Sequence, residues 1–227
     1  MIEMKDDKEF HNLGEFIEDK KVIARKLQSI KALIFDWDGV FHSSYKKSNK
    51  ESSFSEADSM GINMLRFSYF LKNNTIPYTA IITGENNETA SYFGKRENFD
   101  QIFLKTKNKI EILDWLTEHK GFTKEEVLFV FDDILDLSIA KVCGLRFMVN
   151  RDASFMFKTY CKKHKLCDYI SKNDGGNHAI REICEQAISL LGDYDQVIDK
   201  RIAYKGDYSN YINRRNSTIT TLSSSTK

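Results

Sequence analysis

A chain of 227 residues has room for one α/β domain of roughly 150–170 residues with extensions at its ends. Its composition, 41% hydrophobic and 30% charged, is that of a soluble globular protein, and no stretch approaches the ~20 apolar residues of a membrane span. With 34 Lys and Arg against 33 Asp and Glu, a net charge of +1 leaves no basic excess to hold nucleic acid or an anionic membrane.

The opening residues, Met1 to Asp7, carry no apolar signal segment, and the four cysteines show no CxxC spacing, so a reducing, cytoplasmic setting is expected. Cys161, His164 and Cys167 offer three potential zinc ligands, but a fourth is missing nearby and the spacing matches no common structural frame. Buried thiols at a helix end are the reading taken.

Residues 1–30 are charged, with Phe10, Leu13, Phe16, Ile17, Ile23, Leu27 and Ile30 spaced near three and four. That is the pattern of an amphipathic helical extension, packed on the domain edge or joining subunits. Lys31 to Phe41, KALIFDWDGVF, follows: Ala32 to Phe35 reads as a strand buried on both faces that ends abruptly in Asp36-Trp37-Asp38-Gly39. The polar stretch Phe41 to Phe54 suggests a short hairpin over that strand's end, and a helix capped by Ser55 runs to Asn73-Asn74.

Beyond Pro77, a strand from Tyr78 ends in Thr83-Gly84, and a short helix spans Asn86 to Phe93. Gln101 to Leu104 is a strand and Asn108 to His119 a helix. Val127 to Phe131 is a buried strand that stops in Asp132-Asp133, with Asp136 opening the next helix. Strands at Leu145 to Val149 and Asp168 to Ser171 flank a helix at Phe155 to Lys163, and a last amphipathic helix ends at Leu191. Strands alternating with helices predict a doubly wound parallel sheet over residues 31–191. Residues 192–227 read as a tail whose Ser- and Thr-rich end is expected to be mobile.

Ligands of open α/β sheets bind beyond the carboxyl ends of the strands. Here those ends carry Asp36, Asp38, Thr83, Asp132, Asp133 and Asp136, with Lys109 at a helix start. Residues i and i+2 of an extended chain point the same way, so Asp36 and Asp38 face one site. A carboxylate set of this kind suits Mg²⁺, with phosphate and water completing its shell. Asp36, with an unperturbed pKa near ~3.9 and a metal alongside, is expected to be ionised at neutral pH and placed to attack phosphorus, while Asp38 protonates the leaving group and later deprotonates water. Thr83 and Lys109 supply a hydrogen bond and a charge to the phosphoryl oxygens.

FDWDGV, IITG, Lys109 and FDDILD, in this order and spacing, resemble the four motifs of the haloacid dehalogenase superfamily of aspartate-nucleophile phosphatases. FSEADSMGI at 54–62 and GGNHAIRE at 175–182 resemble its small-cap branch, the phosphatases of 3-deoxy-manno-octulosonate 8-phosphate and related nine-carbon keto-sugar acids. The resemblance implies a HAD-like Rossmannoid fold with a minimal, hairpin-only cap. It makes Asp36 nucleophile and Mg²⁺ ligand, Asp38 acid/base and ligand through its carbonyl, and Asp132 the third protein ligand. Thr83, Gly84 and Lys109 would hold phosphate, Asp133 and Asp136 would orient the metal shell, and Arg181 would approach the site of its own or a neighbouring subunit. The substrate implied is a small phosphorylated sugar or keto-sugar acid. With no folded cap between Asp38 and Lys109, the resemblance also implies a homotetramer in which a neighbour closes the site.

Departures from the branch's pattern are Phe131 and Ser59 in place of glycines, and Ala57 and Glu85 in place of arginines. Phe131, directly before Asp132, favours an alternative reading in which the chain is a catalytically degenerate binding or assembly module. A receiver domain uses similar residues, but its acidic pair sits on the first strand, whereas here it follows the lysine.

Overall fold

Short, fully buried apolar runs define the centre of the molecule, in a computed structural model that describes residues 14–45 and 52–224. The strands are β1 (Glu15–Phe16), β2 (Ala32–Phe35), β3 (Tyr78–Ile82), β4 (Gln101–Leu104), β5 (Val127–Phe131), β6 (Leu145–Asn150), β7 (Tyr169–Asp174) and β8 (Thr221–Ser224). They form one sheet in the order β1-β7-β6-β5-β2-β3-β4-β8, parallel throughout except for β1 against β7. At the centre Ile34 lies opposite both Ala80 and Phe129, so β2, β3 and β5 end level with one another. The chain leaves β2 toward β3 on one side and returns to β5 on the other. The crevice expected of a doubly wound sheet therefore opens beyond Phe35.

Alternation along each strand sends side chains into two cores. Leu33, Phe35, Ile81, Leu128 and Val130 meet helices α1 (Lys20–Ser29), α2 (Glu56–Asn73), α3 (Glu88–Arg96) and α7 (Ala179–Leu191) on one face. Ile34, Ala80, Ile82, Phe129 and Phe131 meet α4 (Lys109–His119), α5 (Leu137–Ala140) and α6 (Phe155–Lys163) on the other. No helix among the described residues is long and apolar enough to cross a membrane.

Both ends of the chain depart from expectation. Among the described residues of the N-terminal stretch only Lys20–Ser29 is helical, opened by Asp19, whose carboxylate accepts from Lys21 N at 2.8 Å; Glu15–Phe16 is strand, and Phe10 and Leu13 lie outside the described residues. Residues 192–227, read as a tail, carry α8 (Tyr194–Ala203), α9 (Asp207–Asn216) and then β8 on the edge of β4. Val197, Tyr208 and Tyr211 are buried in the first core, and Tyr211 Oη donates to Asn63 Oδ1 at 2.8 Å. One buried valine and two buried tyrosines thus anchor helices whose remaining positions are mostly polar. Of the expected hairpin over Phe41 to Phe54, residues 46–51 lie outside the description, and the described flanks contain no strand, only a bridge between Asp38 and His42.

Candidate active site

Level strand ends bring distant carboxylates together. Asp36 leaves β2, its backbone N–H bonded to Val130 O at 2.9 Å, and Asp132 leaves β5. One 3₁₀ turn later, Asp136 points back toward them. One oxygen from each of Asp36, Asp132 and Asp136 lies within 4.8 Å of the others, and all three residues are buried. Lys109, the first residue of α4, extends its Nζ to 2.5 Å from both Asp36 Oδ1 and Asp136 Oδ1. Asp38 is more open: Thr83 Oγ1 donates to its Oδ2 at 3.4 Å, and His42 Nε2 is 3.2 Å from its Oδ1.

Crowding these charges away from water shifts their protonation. Burial, reinforced by Asp136 and opposed by Lys109, raises the Asp36 carboxyl to about 7. Burial and then the Asp36 charge raise Asp132 to about 8, against the pull of Arg151. Burial would lower the Lys109 ammonium, but Asp36 and Asp136 hold it above its ordinary value. Burial thus works against the ionised Asp36 that the sequence reading expects beside a metal, and a cation at the cluster would favour the ionised form.

A hard divalent cation fits this donor set. All the donors are oxygens, three of them on buried carboxylates, and Asp132 Oδ1 is buried without a hydrogen-bond partner among the described residues. Asp36, Asp132 and Asp136 are the carboxylates placed to hold the ion.

The other residues singled out by sequence divide into those near the cluster and those elsewhere. Thr83 is buried at the end of β3, its N–H bonded to Phe103 O at 2.9 Å. At Gly84 an added Cβ would meet only Thr106 O, at 3.8 Å, so space does not demand a glycine there. Asp133 does not join the cluster: it is exposed and caps the 3₁₀ turn by accepting from Ile134 N at 2.7 Å. Arg181 makes no contact with the cluster among the described residues: its backbone N–H donates to Asp58 at 2.8 Å and its side chain to Glu185 at 2.7 Å. The ring of Phe131 stacks on Phe129, centroids 5.7 Å apart, inside the second core and not between the strand ends. Cys161 and Cys167 are buried while His164 is exposed, in keeping with thiols at a helix end.

Three features escaped the sequence reading. Arg151, the residue after β6, pairs through Nη2 with Asp132 Oδ2 and donates to Ser44 Oγ at 3.0 Å. The strand-exit rule applied to β6 would have marked it. His42 shares Asp38 with Thr83, a contact that only the turn geometry creates. Gly39, at φ +90°, lies so close to Asp132 and Arg151 that a Cβ there would overlap both, and a Cβ on Gly175 would overlap the Gly39 carbonyl. The two glycine-bearing motifs are thus packed directly against each other.

No family profile matches the chain. It is similar to the 3-deoxy-D-manno-octulosonate 8-phosphate phosphatase KdsC of Escherichia coli K12, 25% identical over 178 residues, which cover 77% of this chain and 87% of that protein. Among solved structures, a probable YrbI family phosphatase from Pseudomonas syringae matches with a TM-score of 0.66 and 25% identity, over 82% of this chain and 99% of the other. The 3-deoxy-D-manno-octulosonate 8-phosphate phosphatase of Moraxella catarrhalis, solved with magnesium, phosphate and KDO, matches with a TM-score of 0.65 and 24% identity, over 79% and 97%. Motif order, sheet topology, the carboxylate cluster and these similarities agree in making the chain similar to the KdsC-like phosphatases of the haloacid dehalogenase superfamily.

Proposed function

We propose that the chain hydrolyses a phosphomonoester of a sugar or keto-sugar acid through an aspartyl phosphate, with Mg²⁺ as its cation. The observation that carries this reading is the buried cluster of Asp36, Asp132 and Asp136, cross-linked by Lys109, with one carboxylate oxygen left unsatisfied. Bound there, Mg²⁺ would favour ionised carboxylates and offset their repulsion of the phosphate. Asp36 then attacks phosphorus, forming a bond from its carboxylate oxygen as the bond to the substrate oxygen breaks. Asp38, within reach of solvent, gives its proton to the departing oxygen and takes one from the water that hydrolyses the aspartyl phosphate. The Thr83 hydroxyl and Lys109 ammonium hold the phosphoryl oxygens.

The substrate class follows from the similarity to KdsC proteins, moderated by two positions. Ala57 and Glu85 stand where the branch carries arginines, so recognition of a substrate carboxylate differs from that branch. The alternative of a degenerate module loses its main support, because Phe131 lies in the core.

The same reading includes a second copy of the chain closing the site, in a cytoplasmic homotetramer. No folded cap covers the strand ends among the described residues. Tyr45, Ile134 and Leu135 are exposed on the segments that follow β2 and β5, and Phe155 and Met156 on the first turn of α6, which follows β6. Such a rim suits a protein neighbour.

Phosphate release from p-nitrophenyl phosphate, with and without Mg²⁺, tests the reaction. Cation-dependent turnover that Asp36→Asn abolishes is the expected result, and absence of turnover across a panel of phosphorylated sugars and sugar acids would defeat the reading.

A further inference from the structure

The two cations at the carboxylate cluster differ in setting. Lys109 is walled in, 4% exposed, and shared between Asp36 and Asp136. Arg151 is 31% exposed at the first position after β6, and its Nη2 spans Asp132 Oδ2 and Ser44 Oγ. Asp132 cannot follow the arginine outward: its side chain is 1% exposed, and Oδ2 rests where only a glycine at position 39 leaves room. Arg151 is thus the solvent-reaching partner of a buried carboxylate.

We propose that Arg151 sets the affinity of the site for its divalent cation by competing for Asp132 Oδ2. This inference rests on the reading of Asp132 as a ligand. The guanidinium engages a lone pair that a cation would use, and its fixed charge repels a second cation close by; both effects weaken binding. Its exposure limits the size of the effect, because water screens the charge. In return, the ion pair neutralises a buried carboxylate that would otherwise stand uncompensated. The cation is therefore held exchangeably, and the protein keeps a counter-charge of its own for Asp132.

Calorimetric titration of the full chain with Mg²⁺, after stripping with EDTA, measures the effect without turnover. Arg151→Met, which removes the charge but keeps the length, is expected to tighten the Mg²⁺ Kd about tenfold, the size of a partly screened charge pair. Arg151→Lys, which keeps the charge, is expected to stay within about twofold of the parent. In EDTA the methionine variant is expected to melt about 2–4 °C lower, with a larger rise on adding Mg²⁺. Should that variant not fold, Arg151→Gln, neutral but still a donor, carries the same expectation. An unchanged or weaker Kd in a folded neutral variant overturns the proposal. Asp132→Asn separates the two levels: Mg²⁺ binding that depends on Asp132 but ignores Arg151 defeats this inference alone. Absent or Asp132-independent binding defeats the ligand reading along with it.

Discussion

Asp36 and Asp132 carry the largest electrostatic burden of any residues at the site. Their carboxyls have an ordinary value of 3.8, and the fold raises them to about 7 and about 8, chiefly by burial. Between pH ~4 and pH ~8 the folded chain therefore binds more protons than the unfolded chain, so stability without a divalent cation falls as pH rises through that window. Thermal melts in EDTA are expected to drop between pH 5 and pH 8. Mg²⁺, which binds the deprotonated carboxylates, is expected to raise the melting temperature most at the alkaline end. Melts in EDTA that do not change with pH would contradict the assignment of burial as the dominant influence. Asp36, Thr83 and Asp132 were legible in the sequence because each ends an apolar run, where the strand-exit rule applies directly, and Asp38 because it stands two residues beyond Asp36. Which of Asp133 and Asp136 turns inward was not legible, because a single 3₁₀ turn decides it. Arg151 was passed over because the run before it, Leu145 to Val149, ends one residue earlier in the sequence reading than the strand does in the fold.

Among the elements, the central strands and the helices between them followed from hydrophobic periodicity, with β4, β5 and α6 matching their expected bounds. The elements after Gly192 did not. Helix α9 is mostly charged and polar, and β8 is only Thr-Leu-Ser-Ser, so neither has a periodic signature; tertiary contacts define both. Gln101 Nε2 donates to Ser223 Oγ at 2.8 Å, and Asn98 Nδ2 to Thr218 O at 3.2 Å. Deleting residues 217–227 is expected to cost about 2 kcal/mol in chemical denaturation and, by baring the β4 edge, to raise light scattering on heating. The loop after β7 has a more direct link to the site. Gly175→Ala places a methyl against the Gly39 carbonyl and must push the turn carrying Asp38. Phosphate release is expected to fall at least about tenfold while far-ultraviolet circular dichroism stays native, since a displacement of about 1 Å at catalytic groups has a large kinetic effect. Unchanged turnover would mean that the turn tolerates the shift.

Across the whole molecule, a sheet covered on both faces leaves its carboxyl-end crevice as the place where polar chemistry meets solvent. The proposed tetramer gives that crevice a cover. Size-exclusion chromatography with light scattering is expected to return about four chain masses, and Ile134→Asp with Leu135→Asp is expected to reduce that mass. A parent chain that runs as a monomer at high concentration would remove the assembly from the reading. A separate consequence lies in how the charges are divided. Asp36 comes from β2, Lys109 from α4, Asp132 and Asp136 from the exit of β5, and Arg151 from the exit of β6, so more than a hundred positions of chain contribute to one small polar nest. Split the polypeptide between α4 and β5, and the first half keeps Asp36 with Lys109 while the second keeps Asp132 with Arg151; what the cut divides is the Lys109–Asp136 pair and the group of three carboxylates. Only docking of the halves would rebuild the three-acid group, which makes divalent-cation binding itself a signal that two fragments have found each other.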